Sequence, residues 1–398
     1  MNLTSEVRVH SRRKRVILGI VLPFIEALLC CFHRTRKIDP ATPIKRILVF
    51  RPDHIGDAIM ATSVLQPLKS KYPAAYLAMC VGPWAKELLD KHPLIDELII
   101  TSLPWWTKIR KSGSAKFEGL DMWQLLRQLR KQPFDLFIDL RSDLRHILLY
   151  GVFGRSKYIL AYNRTGGNSV LCANVPFHPE EHEVVKNISL LQPLGIKAQT
   201  PSLSIPVKAT ARISLTEKLQ DKEATLKAPI VVFCPQTRLQ VKEWPQSSWT
   251  ELTRRLLQSI PEIRIIVVGD SHLTFPIQQD WKDSVILADG TFTLSELNAL
   301  FEQAVLVIGS DSAPLHLAAC RDIPILALFG PTKPEIFAPF TSKASLLVGQ
   351  CVCNRDIHLD CRVNPGGSGK CMIDITVDQV AGSALSLLAP HLHQLRSI

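Results

Sequence analysis

Two doubly wound α/β halves, each a parallel sheet covered by helices, are what this sequence predicts, and three observations carry the prediction. At 398 residues the chain is too long for one ordinary core. From Lys45 onward, short β-rich runs alternate with helical stretches, the pattern of parallel strands joined by helical crossovers. Several of those strands run straight into loops of charged or small residues that open a helix, which is where such sheets hold ligands. The expected layout is an N-terminal segment over 1–43, a first half over 44–205 and a second over 206–398. The Pro-, Ser- and Thr-rich stretch 197–210 is the connector. A cleft between the two halves is the expected site.

Hydrophobic residues make up 46% and charged residues 21%, a globular balance with enough apolar material for two cores. The net charge of +11 is uneven. Residues 1–46 hold ten Lys/Arg against Glu6, Glu26 and Asp39, a balance of +7 that leaves +4 for the other 352 residues. Nucleic acid is therefore not expected as a partner of the globular part. Cys30, Cys31, Cys80, Cys172, Cys234 and Cys320 stand among apolar neighbours, where cysteine serves as a small hydrophobe, and a reducing, cytoplasmic compartment follows.

The N-terminal basic charge frames an apolar run, VILGIVLPFIEALLCCF over 16–32, with Arg12 to Arg15 before it and Arg34, Arg36 and Lys37 after it. Pro23 and Glu26 inside so short a run disfavour a membrane span, and no small-x-small cleavage site follows. Basic flanks suit a helix lying on an anionic membrane surface, with a helix packed on the protein's own surface as the other reading.

In the first half, strands are expected at Arg46–Phe50, Tyr76–Cys80, Glu97–Ile100, Leu136–Asp139 and Tyr158–Ala161, with helices at Asp57–Lys71 and Phe117–Arg130. The first strand ends in Arg51-Pro52-Asp53-His54-Ile55-Gly56-Asp57. No G-x-G-x-x-G is present, so the dinucleotide fingerprint is missing. Asp57 at the start of a helix can take a proton from a bound hydroxyl, and it can equally cap the helix. The residues alone leave both roles open.

In the second half, strands are expected at Ile230–Cys234, Arg264–Val268, Ser284–Leu287, Val305–Gly309, Ile325–Phe329 and Ser345–Val348. The helices expected are Ser247–Ser259, Leu294–Ala304, Ala313–Cys320 and Val377–Leu388. The loop after the first of these strands carries Thr237, Arg238 and Lys242 ahead of Trp244-Pro245. A hydroxyl and two cations there suit a phosphate, or form a solvated basic loop. The strand at 305–309 leads into Ser310-Asp311-Ser312-Ala313-Pro314, whose small residues allow close approach of a diphosphate. Asp311 reads as ligand contact or cap, and His316 as ligand contact or packing histidine. Gly330-Pro331-Thr332 ends the next strand at the same edge. Near the C-terminus, Cys351, Cys353, Cys361 and Cys371 offer four thiolates to a structural zinc, without the usual C-x2-C pairs; reduced free thiols are the other reading.

Three segments taken in order, ILVFRPDHIGDAIMATSVLQPLKSKYP, CPQTRLQVKEWPQSSWTEL and VIGSDSAPLHLAACRDIPILALFGPT, resemble glycosyltransferase family 9, the lipopolysaccharide heptosyltransferases. The resemblance spans roughly residues 44–385. It implies a GT-B fold, two Rossmann-like domains facing a central cleft, with an acceptor on the first and an ADP-sugar, ADP-heptose above all, on the second. It implies Asp57 as general base, Lys242 with Thr237 at the donor phosphates, and Asp311, Ser312, Ala313 and His316 around diphosphate and sugar. Phe292 and Thr293 fall where the family contacts adenosine. Arg141 and Arg145 then stand to receive acidic groups of a lipopolysaccharide core or lipid A acceptor, or act as solvated helix charge. The chemistry implied is inverting transfer without a required cofactor or catalytic metal, at the cytoplasmic face of the inner membrane. Ala313 where many members have Gly, and the extra length at Gln240-Val241, are departures. The competing readings are a GT-B epimerase or hydrolase, which would need further acid/base groups, and a non-catalytic sugar-nucleotide or lipid A binder.

Overall fold

A computed structural model describes residues 36–107, 119–197, 201–219, 228–351, 361 and 363–395. The apolar run 16–32 and Cys353 lie outside the described residues. Among the described residues no helix is long and apolar enough to cross a membrane. The chain divides into two units, Met1–Ser202 and Leu203–Ile398.

Unit 1 is built on β1 (Arg46–Arg51), α1 (Ile55–Ala61), α2 (Leu65–Lys71), β2 (Tyr76–Val81), β3 (Glu97–Ile100), α3 (Met122–Lys131), β4 (Leu136–Asp139), β5 (Tyr158–Leu160), a two-residue pair β6 (Tyr162–Asn163) and β7 (Val175–Pro176), and α4 (Glu183–Ser189). Its main sheet is parallel in the order β3-β2-β1-β4-β5. Central β1 is an unbroken apolar run because it is covered on both faces. Leu48 and Phe50 are fully buried with Phe137, Ile147 and Tyr150, each large side chain contributing about 1.5–3 kcal/mol of burial.

The single helix expected over 57–71 is two helices with a 3₁₀ turn, Thr62–Val64, between them. Thr62 Oγ1 donates to Ile59 O at 2.7 Å and Ser63 Oγ to Met60 O at 2.8 Å, back-bonding that bends a helix. Pro67 just beyond supplies no N–H to continue it. The start also moves: His54 is the N-cap residue and Asp57 sits within the first turn, so Asp57 is not the cap.

Unit 2 holds α5 (Ala209–Lys218), β8 (Ile230–Cys234), α6 (Gln246–Ser259), β9 (Arg264–Gly269), β10 (Val285–Asp289), α7 (Leu294–Phe301), β11 (Ala304–Ser310), α8 (Ala313–Ala318), β12 (Ile325–Phe329), β13 (Ala344–Val348) and α9 (Val377–Leu395). Its sheet is parallel in the order β10-β9-β8-β11-β12-β13. Trp249 on α6 is fully buried, tilted on Phe233 of β8 and edge-on to Trp244, with ring centroids 5.0 and 5.2 Å away. Expected strands and helices recur with ends displaced by a few residues, most at α9, which runs seven residues past the expected Leu388.

Candidate active site

In both sheets, strand order reverses between two central strands: β1 and β4 in unit 1, β8 and β11 in unit 2. Connections leave in opposite directions at such a point and open a crevice at the strands' carboxyl ends. The loops singled out from sequence after β1, β8 and β11, and Arg141 after β4, all leave from these four strands.

At the unit 1 crevice the central group is Arg51, the last residue of β1, with a side chain 4% exposed. Its Nη1 donates to Leu140 O after β4 at 3.1 Å. Its Nε lies 2.9 Å from Asp53 Oδ1, and its Nη2 reaches Asp57 Oδ1 at 2.8 Å and Glu183 Oε2 at 3.3 Å. Asp53, wholly buried, also receives Arg141 Nη1 at 2.8 Å. Glu183 opens α4 and pairs through Oε1 with Lys186 Nζ at 2.5 Å. Three carboxylates are thus interleaved with three cations, the arrangement that allows charge to be buried at all.

Burial and partners push the two neighbouring aspartates apart. For Asp53, complete desolvation wins over the pull of Arg51 and Arg141, and its carboxyl is raised. For Asp57, desolvation is outweighed by Arg51, Arg141 and His54, and its carboxyl is held below the usual range. The two carboxyls are thus shifted in opposite directions by their surroundings. Asp57 is the one held down and the more accessible of the two, with its side chain 15% exposed.

The loop that delivers Arg141 is shaped by Asp139 at the end of β4. Its carboxylate accepts from Arg141 N at 3.1 Å and Asp143 N at 2.9 Å, and Ser142 between them takes a left-handed φ of 56°. Arg145 is drawn elsewhere. Both arms of its guanidinium grip Asp143, at 2.9 and 2.5 Å, and its face stacks on Trp105 at 4.7 Å. Burial works against the Asp143 carboxyl, but Arg145 and His146 hold it down to about 2. Of the two predicted acceptor arginines, Arg141 joins the Asp57 network and Arg145 does not.

At the unit 2 crevice Lys242 Nζ lies 2.7 Å from Asp311 Oδ2 and 3.3 Å from Asp311 O, tying the β8 loop to the β11 loop. Trp244 fixes the end of the Lys242 loop by donating from Nε1 to Ile375 O at 2.8 Å. Thr237 is occupied within its own loop, its Oγ1 donating to Leu239 O at 2.7 Å, while its N–H meets Glu243 Oε1 at 2.8 Å. Arg238 is exposed. Ser312 occupies the N-cap of α8 and turns its hydroxyl to Ser310 O at 3.0 Å; Ala313 begins the helix, and His316 is buried in its last turn. Phe292 is half-buried. Thr293 caps α7, its Oγ1 accepting from Glu296 N at 3.3 Å.

Cys371 is buried beside Cys351, and burial first, then that neighbour, pushes its thiol up to about 12. Cys361 Sγ accepts from Lys370 N at 3.4 Å. Among the described residues no group of three or more His, Cys, Asp or Glu is arranged to hold a metal ion.

Sequence reasoning missed Arg51, Asp53, Glu183 and Lys186. Arg51 and Asp53 carried a readable signal, two charges at the very end of a strand otherwise buried throughout. Glu183 carried none, since it meets Arg51 across 132 residues of chain.

Residues 122–365 match the family model described as Glycosyltransferase family 9 (heptosyltransferase). Lipooligosaccharide heptosyltransferase 2 of Haemophilus influenzae is 24% identical over 363 residues, covering 86% of this chain and 99% of its own. Among solved structures, the glycosyl transferase family 9 protein from Veillonella parvula superposes with a TM-score of 0.68 at 20% identity, covering 89% of this chain and 99% of that one. The E. coli ADP-heptose LPS heptosyltransferase II gives a TM-score of 0.66 at 19% identity, over 87% and 99%. These neighbours share the GT-B fold expected from the sequence.

Proposed function

The chain belongs to glycosyltransferase family 9, and on that premise we propose that it transfers a heptose, with inversion, from an ADP-activated donor to a lipopolysaccharide-core acceptor, with Asp57 as the general base. In unit 1, Asp57 takes the proton of an acceptor hydroxyl as that oxygen forms its bond to the anomeric carbon. The bond from that carbon to the diphosphate breaks in the same step, and ADP leaves with the electron pair. In unit 2, Lys242 meets the charge gathering on the diphosphate, with Arg238 beside it, so the residues themselves supply the cations the leaving group needs. Asp311, Ser312, Ala313 and His316 line the loop that faces diphosphate and sugar, while Phe292 and Thr293 lie toward the adenosine. Arg141 faces an acidic group of the acceptor.

The observation that carries this reading is the Asp57 carboxylate, paired with Arg51 yet still partly accessible at the sheet's switch point. The names of relatives, a lipooligosaccharide heptosyltransferase and an ADP-heptose enzyme, support this choice of donor and acceptor. The apolar segment 16–32 with its basic flanks suits attachment to the anionic cytoplasmic face of the membrane that carries such acceptors. The test is direct. Purified protein is incubated with ADP-heptose and other nucleotide sugars against truncated core acceptors, and released nucleotide is measured. ADP release only from the heptose donor, dependent on acceptor, is the expected result; release with no acceptor, or none from any donor, counts against transfer.

A further inference from the structure

The Asp57 carboxylate shares its partner. One nitrogen, Arg51 Nη2, serves both Asp57 Oδ1 at 2.8 Å and Glu183 Oε2 at 3.3 Å. The guanidinium is anchored at its other end, where Nη1 donates to Leu140 O and Nε lies within ion-pair range of Asp53. Glu183 is in turn divided, its second oxygen lying on Lys186 Nζ at 2.5 Å. The charged groups facing Asp57 are therefore Arg51 on β1, Asp53 and His54 in the following loop, Arg141 after β4, and Glu183 on α4, with Lys186 behind it.

A base of this kind meets opposing demands. Full possession of an arginine keeps a carboxylate ionised, but it also makes it reluctant to accept a proton. Catalysis by proton removal falls off as the base weakens. A second carboxylate on the same nitrogen takes part of that cation's field and adds its own repulsion to a proton-free Asp57.

We propose that Glu183 is a positioning residue of the transfer reaction: by sharing Arg51 Nη2 it keeps Asp57 ionised but basic enough to take the acceptor's proton. Glu183 touches neither substrate in this scheme and acts only through Arg51. The inference rests on Asp57 being the base.

The test uses the full-length protein labelled with carboxyl ¹³C aspartate, with Asp57→Asn to assign the Asp57 signal and to test the base itself. Glu183→Gln keeps the shape and removes the charge. The Asp57 carboxyl should then titrate at lower pH, and kcat should fall about three- to tenfold, with the donor KM unchanged. Lys186→Met removes the cation behind Glu183 and should move the Asp57 titration the other way, an opposition that a purely structural role does not produce. An Asp57 titration that stays in place or rises in Glu183→Gln overturns the proposal; if that variant does not fold, no shift or a downward one in Lys186→Met does the same. Should Asp57→Asn keep its turnover, the base assignment falls first. Should it be inactive while Glu183→Gln titrates and turns over like the parent, only the role of Glu183 is lost.

Discussion

Lys242 Nζ and Asp311 Oδ2 lie 2.7 Å apart, one from the loop after β8 and the other from the loop after β11. The pair spans the point where the unit 2 sheet reverses direction, so an anion entering that crevice meets an ammonium already oriented by a carboxylate. On the proposed function, a donor diphosphate would share or replace that partner, so both residues should bear on its affinity.

Lys242→Met should raise the KM for the nucleotide-sugar donor about ten- to a hundredfold, the weight of a charge-assisted hydrogen bond, and lower kcat as well. Asp311→Asn leaves the ammonium in place without its guide and should have a smaller effect. Steady-state kinetics at varied donor concentration, together with ADP binding by calorimetry, checks both. Equal donor KM in the parent and Lys242→Met would remove the lysine from the donor site.

Asp57→Asn should lower kcat about a hundred- to ten-thousandfold and leave folding intact. Arg51 keeps Asp53 and Glu183 as partners when Asp57 loses its charge. A parental circular dichroism spectrum and a modestly lowered melting temperature, from the lost pairing with Arg51, alongside the activity loss, are the expected results.

The pH profile follows from the direction of the Asp57 shift. Its folded carboxyl is held below the ordinary value of about 3.9, so the proposed base is ionised at neutral pH. Activity should stay level on acidification until the pH passes below the usual carboxylate range. The linked stability has the same sign: it is present above about pH 3.9 and is lost as pH falls through the lower folded value. An acid limb of kcat near pH 6 in protein that remains folded would contradict this.

Unit 2 carries a separate acid-sensitive support. Glu296 is buried on α7. Burial works against its charge, but Lys218, Ser214 and the Thr293 cap outweigh burial and hold it down to about 2. Its contribution should be complete above about pH 4.3 and decline as pH falls toward about 2. Glu296→Gln keeps the capping box but removes the charge paired with Lys218; it should lower the melting temperature at neutral pH, such a pair being worth about 1 kcal/mol at most, and should flatten the acid side of the stability curve. Thermal melts from pH 7 to pH 3 read both effects.

If Lys242 and Arg238 meet the leaving diphosphate as proposed, transfer activity should survive EDTA. Specific inhibition by EDTA that magnesium restores would assign that role to a metal instead.

Much of the fold was legible because a buried parallel strand is written as a short apolar run, and both sheets consist of such runs between helices. Helix ends were less legible. The break at Thr62–Val64 depends on hydroxyls bonding back to their own helix, a choice that periodicity does not encode. In the site, Asp57, Arg141, Lys242 and Asp311 stood out because each follows a strand. Glu183 could not, for its partner is set by the packing of α4 against α1 and the turn that follows it. The pairing of Arg145 was not legible either, although its carboxylate partner, Asp143, lies only two residues away.

Every strand pairing in both main sheets is parallel, and this governs how the chain is made as well as what it holds. No neighbour can zip up through a hairpin. The backbone N–H of Lys45 at the foot of β1 waits for the Asp135 carboxylate, 90 residues later in synthesis. Such long-range closure is slow and leaves apolar edges open to aggregation while it proceeds. Because residues up to Ser202 form a unit of their own, the ribosome can release one finished sheet before the second begins to emerge. Nascent chains should then expose one sticky, incomplete sheet at a time, and expression at low temperature or with a trigger-factor-like chaperone should raise the soluble yield.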